Sequence, residues 1–153
     1  MNEIFTIWVL VCSALMVGNE FAVGLFINPL FGRLPEVPQA SAARESARIY
    51  GKVMPFWMII NFLSSVAVTF FVAIGYTRQW WAYLAATILF AAVIAFSLVF
   101  PVPINNKIAN WDPHELPGDW RELRKRFDGY HRIRVVMLVI ALVSLAYGAI
   151  SSR

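Results

Sequence analysis

Charge is what this sequence has least of. Lysine, arginine, aspartate and glutamate make up 14% of its 153 residues, where a soluble domain carries about a quarter. Hydrophobic residues supply 59% and the mean hydropathy is +0.64, so an ordinary soluble fold is excluded. A single cysteine, Cys12, rules out an intrachain disulfide and a cysteine-rich metal site. Its place inside an apolar run reads as a small buried residue. The two histidines, His114 and His131, stand far from any His-x-x-x-His or Glu-x-x-His spacing. The apolar segments also hold too few carboxylates for a di-iron bundle. No basic stretch precedes the first apolar run and no convincing cleavage site follows it, so it is expected to remain as a helix. The net charge of +4 does not argue for nucleic acid, because membrane topology already accounts for the basic residues.

What the chain does have is four apolar runs, at 4–31, 53–77, 80–104 and 135–152. Each is long enough to cross the roughly 30 Å hydrocarbon layer as a helix, and none shows the alternation of a lipid-facing strand. The expected fold is all-α: one membrane domain, 1–153, built as an antiparallel four-helix bundle with loops at 32–52 and 105–134. Eleven of the 13 lysines and arginines fall in or beside those two loops; Arg78 and Arg153 do not. That bias predicts cytoplasmic loops 1 and 3, with both termini outside; the expected location is the bacterial inner membrane. Tyr76, Trp80 and Trp81 would form the outer aromatic belt. A proline-punctuated turn, "GRLPEVPQ", should lead into a helix at "ASAARESARIY". Pro55 should either kink span two or occupy its first turn.

Polar groups collect towards the loop 1 and loop 3 end. Glu20 interrupts the first run at "VGNEFAVG", on a face with Ser13, Met16, Gly24 and Ile27. Met58, Asn61, Ser65 and Val68 make a comparable stripe on span two. The last helix should open at Asp119, with Glu122 at capping-box spacing, and run into span four. On it Trp120, Leu123, Arg124, Phe127, His131, Arg134 and Leu138 share one face, which should point into the bundle. Arg121, Lys125, Asp128 and Arg132 share the other, suited to solvent and headgroups. Trp111 and Trp120 are expected to anchor the loop at the interface. His114 is given no catalytic role.

The stretch "NNKIANWDPHELPGDWRELRKRFDGYHRIR" resembles the signature of the anthrone oxygenase-like family of four-helix membrane proteins. The matching residues are Asn105, Asn106, Lys107, Ile108, Trp120, Arg124, His131 and Arg134. Where that family often has tryptophan this chain has Phe127, and "NPLFGRLP" at the end of span one also fits. The resemblance implies oxidation of a lipophilic aromatic substrate, as fungal relatives oxidise anthrones to anthraquinones with dioxygen and no added cofactor. It does not transfer a substrate.

Two readings of the polar residues remain. As an enzyme, Glu20 is a general base, His131 takes a C–H or O–H proton, and Arg134 stabilises the resulting anion. Asn61 would orient the substrate, with Asn28, Asn105, Asn106, Trp120, Arg124 and Phe127 as further binding residues. The carbanion or phenolate then meets dioxygen directly, so no cofactor is required; a haem or single metal at His131 is the alternative. As a non-enzymatic ligand- or haem-binding or accessory membrane protein, the chain would use the same cluster to lock helix packing. In that reading Asn105 and Asn106 satisfy the backbone of a turn. The expected partners are the bilayer and a lipophilic small molecule, with room for a homo-oligomer.

Overall fold

Helical periodicity without alternation becomes helix almost throughout. The computed structural model describes residues 2–72 and 77–151, and among these no strand is present. Helix α1 (Asn2–Ala22) passes through a π-helical turn (Val23–Ile27) into the short α2 (Asn28–Phe31). Helix α3 (Glu36–Ala67) starts directly after Pro35, takes in the alanine-rich segment, and ends in a second π-helical turn, Val68–Val72. Then come α4 (Thr77–Val99), α5 (Pro101–Ile108) and α6 (Trp120–Ile150). Four helices, Glu3–Phe31, Glu36–Phe71, Arg78–Val99 and Trp120–Ile150, are long and apolar enough to cross a membrane. The chain is an integral membrane four-helix bundle.

Several local expectations need correction. The run expected to extend to 104 breaks at Phe100 (φ −108°, ψ −69°), after which α5 begins. Pro101 has no N–H to continue the helix and crowds the residue before it. Asn105 and Asn106 therefore lie on α5 and not in a turn. Pro55 lies well inside α3 and not in its first turn. Asp119 holds the N-cap position of α6 but makes no side-chain cap bond, and Glu122 instead accepts from Arg126 Nε at 3.0 Å. Residues 73–76, with Tyr76, and 152–153, with Arg153, lie outside the described residues. Trp80 and Trp81 pack edge to face at 4.8 Å.

The main core joins Val9, Met16, Met58, Phe90, Leu138 and Leu145, while Ile4, Phe56, Ile88 and Val143 stay exposed on the lipid-facing circumference. In a solvent as apolar as these side chains, close packing and interhelical hydrogen bonds drive association. Ser65 and Thr69 of α3 and its π-turn share a buried hydroxyl network with Thr87 of α4 (2.7 and 3.0 Å). Trp111 and Trp120 do not sit at a surface: both are buried, edge to face at 6.1 Å, in a second core with Ala43, Ala47 and Ile108.

The broadest contact is α4 against α6, and Gly148 sets its closeness. A Cβ there would lie 2.7 Å from the buried Tyr83 ring. Gly148→Ala is therefore expected to cost about 1–3 kcal/mol by overpacking. Gly18→Ala, with open space around it, should stay within about 0.5 kcal/mol. Thermal unfolding of both variants in detergent checks the difference.

Candidate functional site

The polar faces of α1 and α6 meet. Arg124, His131 and Arg134 are buried on one side of α6, with Phe127 between them half-buried, and Glu20 of α1 is 2% exposed. Arg134 Nη2 donates to Glu20 Oε2 at 2.5 Å. His131 Nε2 bonds the backbone carbonyl of Glu20 at 3.0 Å, and Arg134 Nη2 lies 3.1 Å from His131 Nδ1. A carbonyl only accepts and a guanidinium only donates, so Nε2 carries the ring proton and Nδ1 offers its lone pair. That is the neutral Nε2–H tautomer. His131 Nδ1 is 3.6 Å from Glu20 Oε2, too far for a hydrogen bond.

Local sequence makes this approach feasible. A Cβ on Gly24 would lie 2.9 Å from His131 Cδ2, so only glycine admits the imidazole at that depth. The π-helical turn starts three residues after Glu20, and such turns often occur at functional sites. Phe127 stacks on His131 (6.1 Å, 25°), with the Arg124 guanidinium 5.4 Å from the Phe127 ring. Arg124 also donates to Asn28 Oδ1 at 2.6 Å and pairs with Asp128 at 3.1 Å. Asp128, expected to face solvent with Arg121, Lys125 and Arg132, is half-buried: four residues beyond Arg124, it turns inward to the guanidinium.

Two voids adjoin the cluster. One of about 20 Å³ is lined by Glu20, Asn28, Arg124 and His131, together with small residues of α3. Beside it a cavity of about 90 Å³ lies between α3, α4, α5 and α6, bounded by Met54, Met58, Ser97, Pro101 and Asn106. Tyr50, Asn105, Phe127 and Arg134 line both. Arg134 Nε, Asn28 Nδ2 and Ser97 Oγ are buried and have no hydrogen-bond partner.

Of the residues singled out in the sequence, Glu20, Asn28, Asn105, Asn106, Arg124, Phe127, His131 and Arg134 reach these voids. Asn61 and Trp120 do not. Asn61 is held by Ser13 Oγ (2.6 Å), the Trp57 carbonyl (2.9 Å) and Met16 Sδ (3.4 Å), and Trp120 is committed to the Trp111 core. Asn105 Nδ2 donates to the Ala47 carbonyl at 3.0 Å, tying α5 to α3. Tyr50, Met54, Met58 and Ser97 line the voids and were missed. Only the stripe of Met58, Asn61, Ser65 and Val68 hinted at an inward face there. No group of three metal-ligating side chains occurs among the described residues. His131, with both nitrogens engaged and Gly24 against its ring, does not fit the role of a haem or metal ligand.

A family model described as anthrone oxygenase matches residues 46–144, more than half of the chain. The chain belongs to the anthrone oxygenase family. No curated protein and no solved structure matches it. Within the matched region lie His131, Arg134, Phe127, Asn105 and the cavity residues of α3. Glu20 and Asn28 precede it, so Arg134, inside the matched segment, is met by a carboxylate from outside it.

Removing one member of a buried ion pair leaves the other charge uncompensated, at about 3–5 kcal/mol. Glu20→Leu and Arg134→Met should each lower stability by that order, and the double variant by less than their sum. A double-mutant cycle on thermal unfolding in detergent reads this coupling.

Proposed function

We propose that the chain is an oxygenase-like membrane enzyme acting on a lipophilic aromatic substrate, phenol- or anthrone-like, in the cavity beside Arg134. The observation that carries this reading is Arg134 itself. It is a fixed guanidinium, anchored through Nη2 by Glu20, with an unpartnered Nε in a wall shared with Met54, Met58 and Phe127. A preorganised cation in apolar surroundings stabilises developing negative charge strongly, because little has to reorient during reaction.

For an anthrone, the methylene loses a proton to Glu20, which lines the adjoining smaller void, and the enolate oxygen faces Arg134, which lines both. The carbanion carbon then gives two electrons to dioxygen, forming a C–O bond and a peroxide. Protonation gives the hydroperoxide, which loses water to leave a carbonyl. Overall, anthrone and O₂ become anthraquinone and water. In this scheme His131 is a positioning residue: its neutral ring fixes the Glu20 backbone and the Arg134 side chain. Asn105 and Phe127 shape the wall between the two voids.

A second reading has its own support. The direct pairs Glu20–Arg134 and Asn28–Arg124 also suit a cluster that only locks the helices together. Oxygen uptake by purified protein in nanodiscs, offered anthrone and a panel of lipophilic phenols, separates the two. The enzyme reading expects uptake with at least one probe, and a fall of about 100-fold or more in kcat/KM for Arg134→Gln. No uptake by the wild type, or equal turnover by a folded Arg134→Gln, leaves the packing role.

The eleven-to-two distribution of lysine and arginine supports placing the site at the cytoplasmic end of the bundle. A reporter enzyme fused to the C-terminus should then be active only outside the cytoplasm; cytoplasmic activity reverses the orientation.

A further inference from the structure

Serine and threonine inside a membrane helix usually return their hydroxyl to the carbonyl one turn back. This chain does so at Ser144, to Ile140 O at 2.9 Å, and at Thr69, to Ser65 O at 2.8 Å. Ser97 does not. It is 4% exposed, its Oγ has no partner, and it lines the 90 Å³ cavity from α4. Arg134 Nε, also buried and unpartnered, lines the same cavity from α6. Two helices thus each bring to one largely apolar cavity a residue with an unsatisfied polar atom, and leaving such an atom unpaired costs about 1–3 kcal/mol.

We propose that this cavity takes a single-ring headgroup bearing two oxygens, of quinone or hydroquinone type, with one oxygen held by Arg134 Nε and the other by Ser97 Oγ. The assignment rests on reading the cavity as the substrate site and narrows what enters it. Size favours one ring. The cavity, at about 90 Å³, is below the roughly 150 Å³ that holds a benzene molecule. Met54 and Met58, unbranched and adaptable, have to yield less for one ring than for three fused ones. Charge favours an oxygen acceptor, since a guanidinium has only protons to give. Ser97, able to donate or accept, serves either a carbonyl or a hydroxyl. The exit follows from α3: Gly51 and Pro55, one turn apart and both exposed, also line the cavity. An alkyl tail on the ring would leave past them towards lipid.

The test titrates purified protein in nanodiscs with 2-decyl-1,4-benzoquinone, 4-decylphenol and anthrone, following saturable quenching of intrinsic fluorescence against empty nanodiscs. Wild type should bind the quinone more tightly than anthrone. Ser97→Ala should weaken the quinone about five- to tenfold, as expected for one lost hydrogen bond. It should leave decylphenol, with a single oxygen for Arg134, within twofold. Ser97→Thr, which keeps the hydroxyl, should retain most of the quinone affinity, and unfolding midpoints verify that both variants fold. Three results overturn the assignment: no saturable quinone binding by the wild type, equal loss of both decyl probes in Ser97→Ala, or tighter binding of anthrone. Oxygen uptake with anthrone but no quinone binding rejects the headgroup and keeps the oxygenase reading. Ser97-dependent quinone binding without oxygen uptake from any probe supports the headgroup and rejects the oxygenase.

Discussion

The bundle is organised around one ion pair, Glu20 with Arg134, buried where lipid offers neither charge any hydration. Each is tolerated because the other lies at hydrogen-bond distance, and much else near the site serves that contact. Gly24 clears room for the imidazole that braces the guanidinium. The π-helical turn lies between Glu20 and α2, whose Asn28 meets Arg124. Arg124 answers to both Asn28 and Asp128, so a second cation is neutralised one layer away. Each buried guanidinium of α6 thus has a carboxylate beside it, Arg134 from across the seam and Arg124 from its own helix.

Much of this was legible in the sequence because helices obey simple arithmetic. Steps of 100° placed Arg124, Phe127, His131 and Arg134 on one face of α6, and all four turn inward. The same arithmetic put Ser13, Met16 and Glu20 on the buried side of α1. The family model covers Asn105–Ile108, Trp120, Arg124, His131 and Arg134, on which the resemblance rested, and begins after "NPLFGRLP".

The rest depended on distances between helices, which periodicity does not carry. Nothing local says that Ser97 of α4 lines the same cavity as Arg134, or that Tyr50 lies between two voids. Asp128 was misplaced because it was grouped with Arg121, Lys125 and Arg132, yet it lies only about 40° round the helix from Arg124 and its carboxylate reaches that guanidinium. Asn61 sits on the anticipated inner face but found partners in Ser13 and Trp57, away from the voids. The capping box failed although its spacing was right, since Glu122 pairs forward with Arg126.

Helix α6 runs without interruption for 31 residues, about 46 Å at 1.5 Å per residue, against a hydrocarbon layer of roughly 30 Å. Its early turns therefore stand beyond the bilayer, and at that end Trp120 is wedged against Trp111. Such a rod transmits torque. A slip of one residue at the tryptophan wedge would turn the helix by about 100° and swing the guanidinium out of its seam towards lipid. The azimuth of the membrane-buried arginine is thus indexed from outside the membrane, by the aromatic clasp between the 109–119 segment and the first turn of α6.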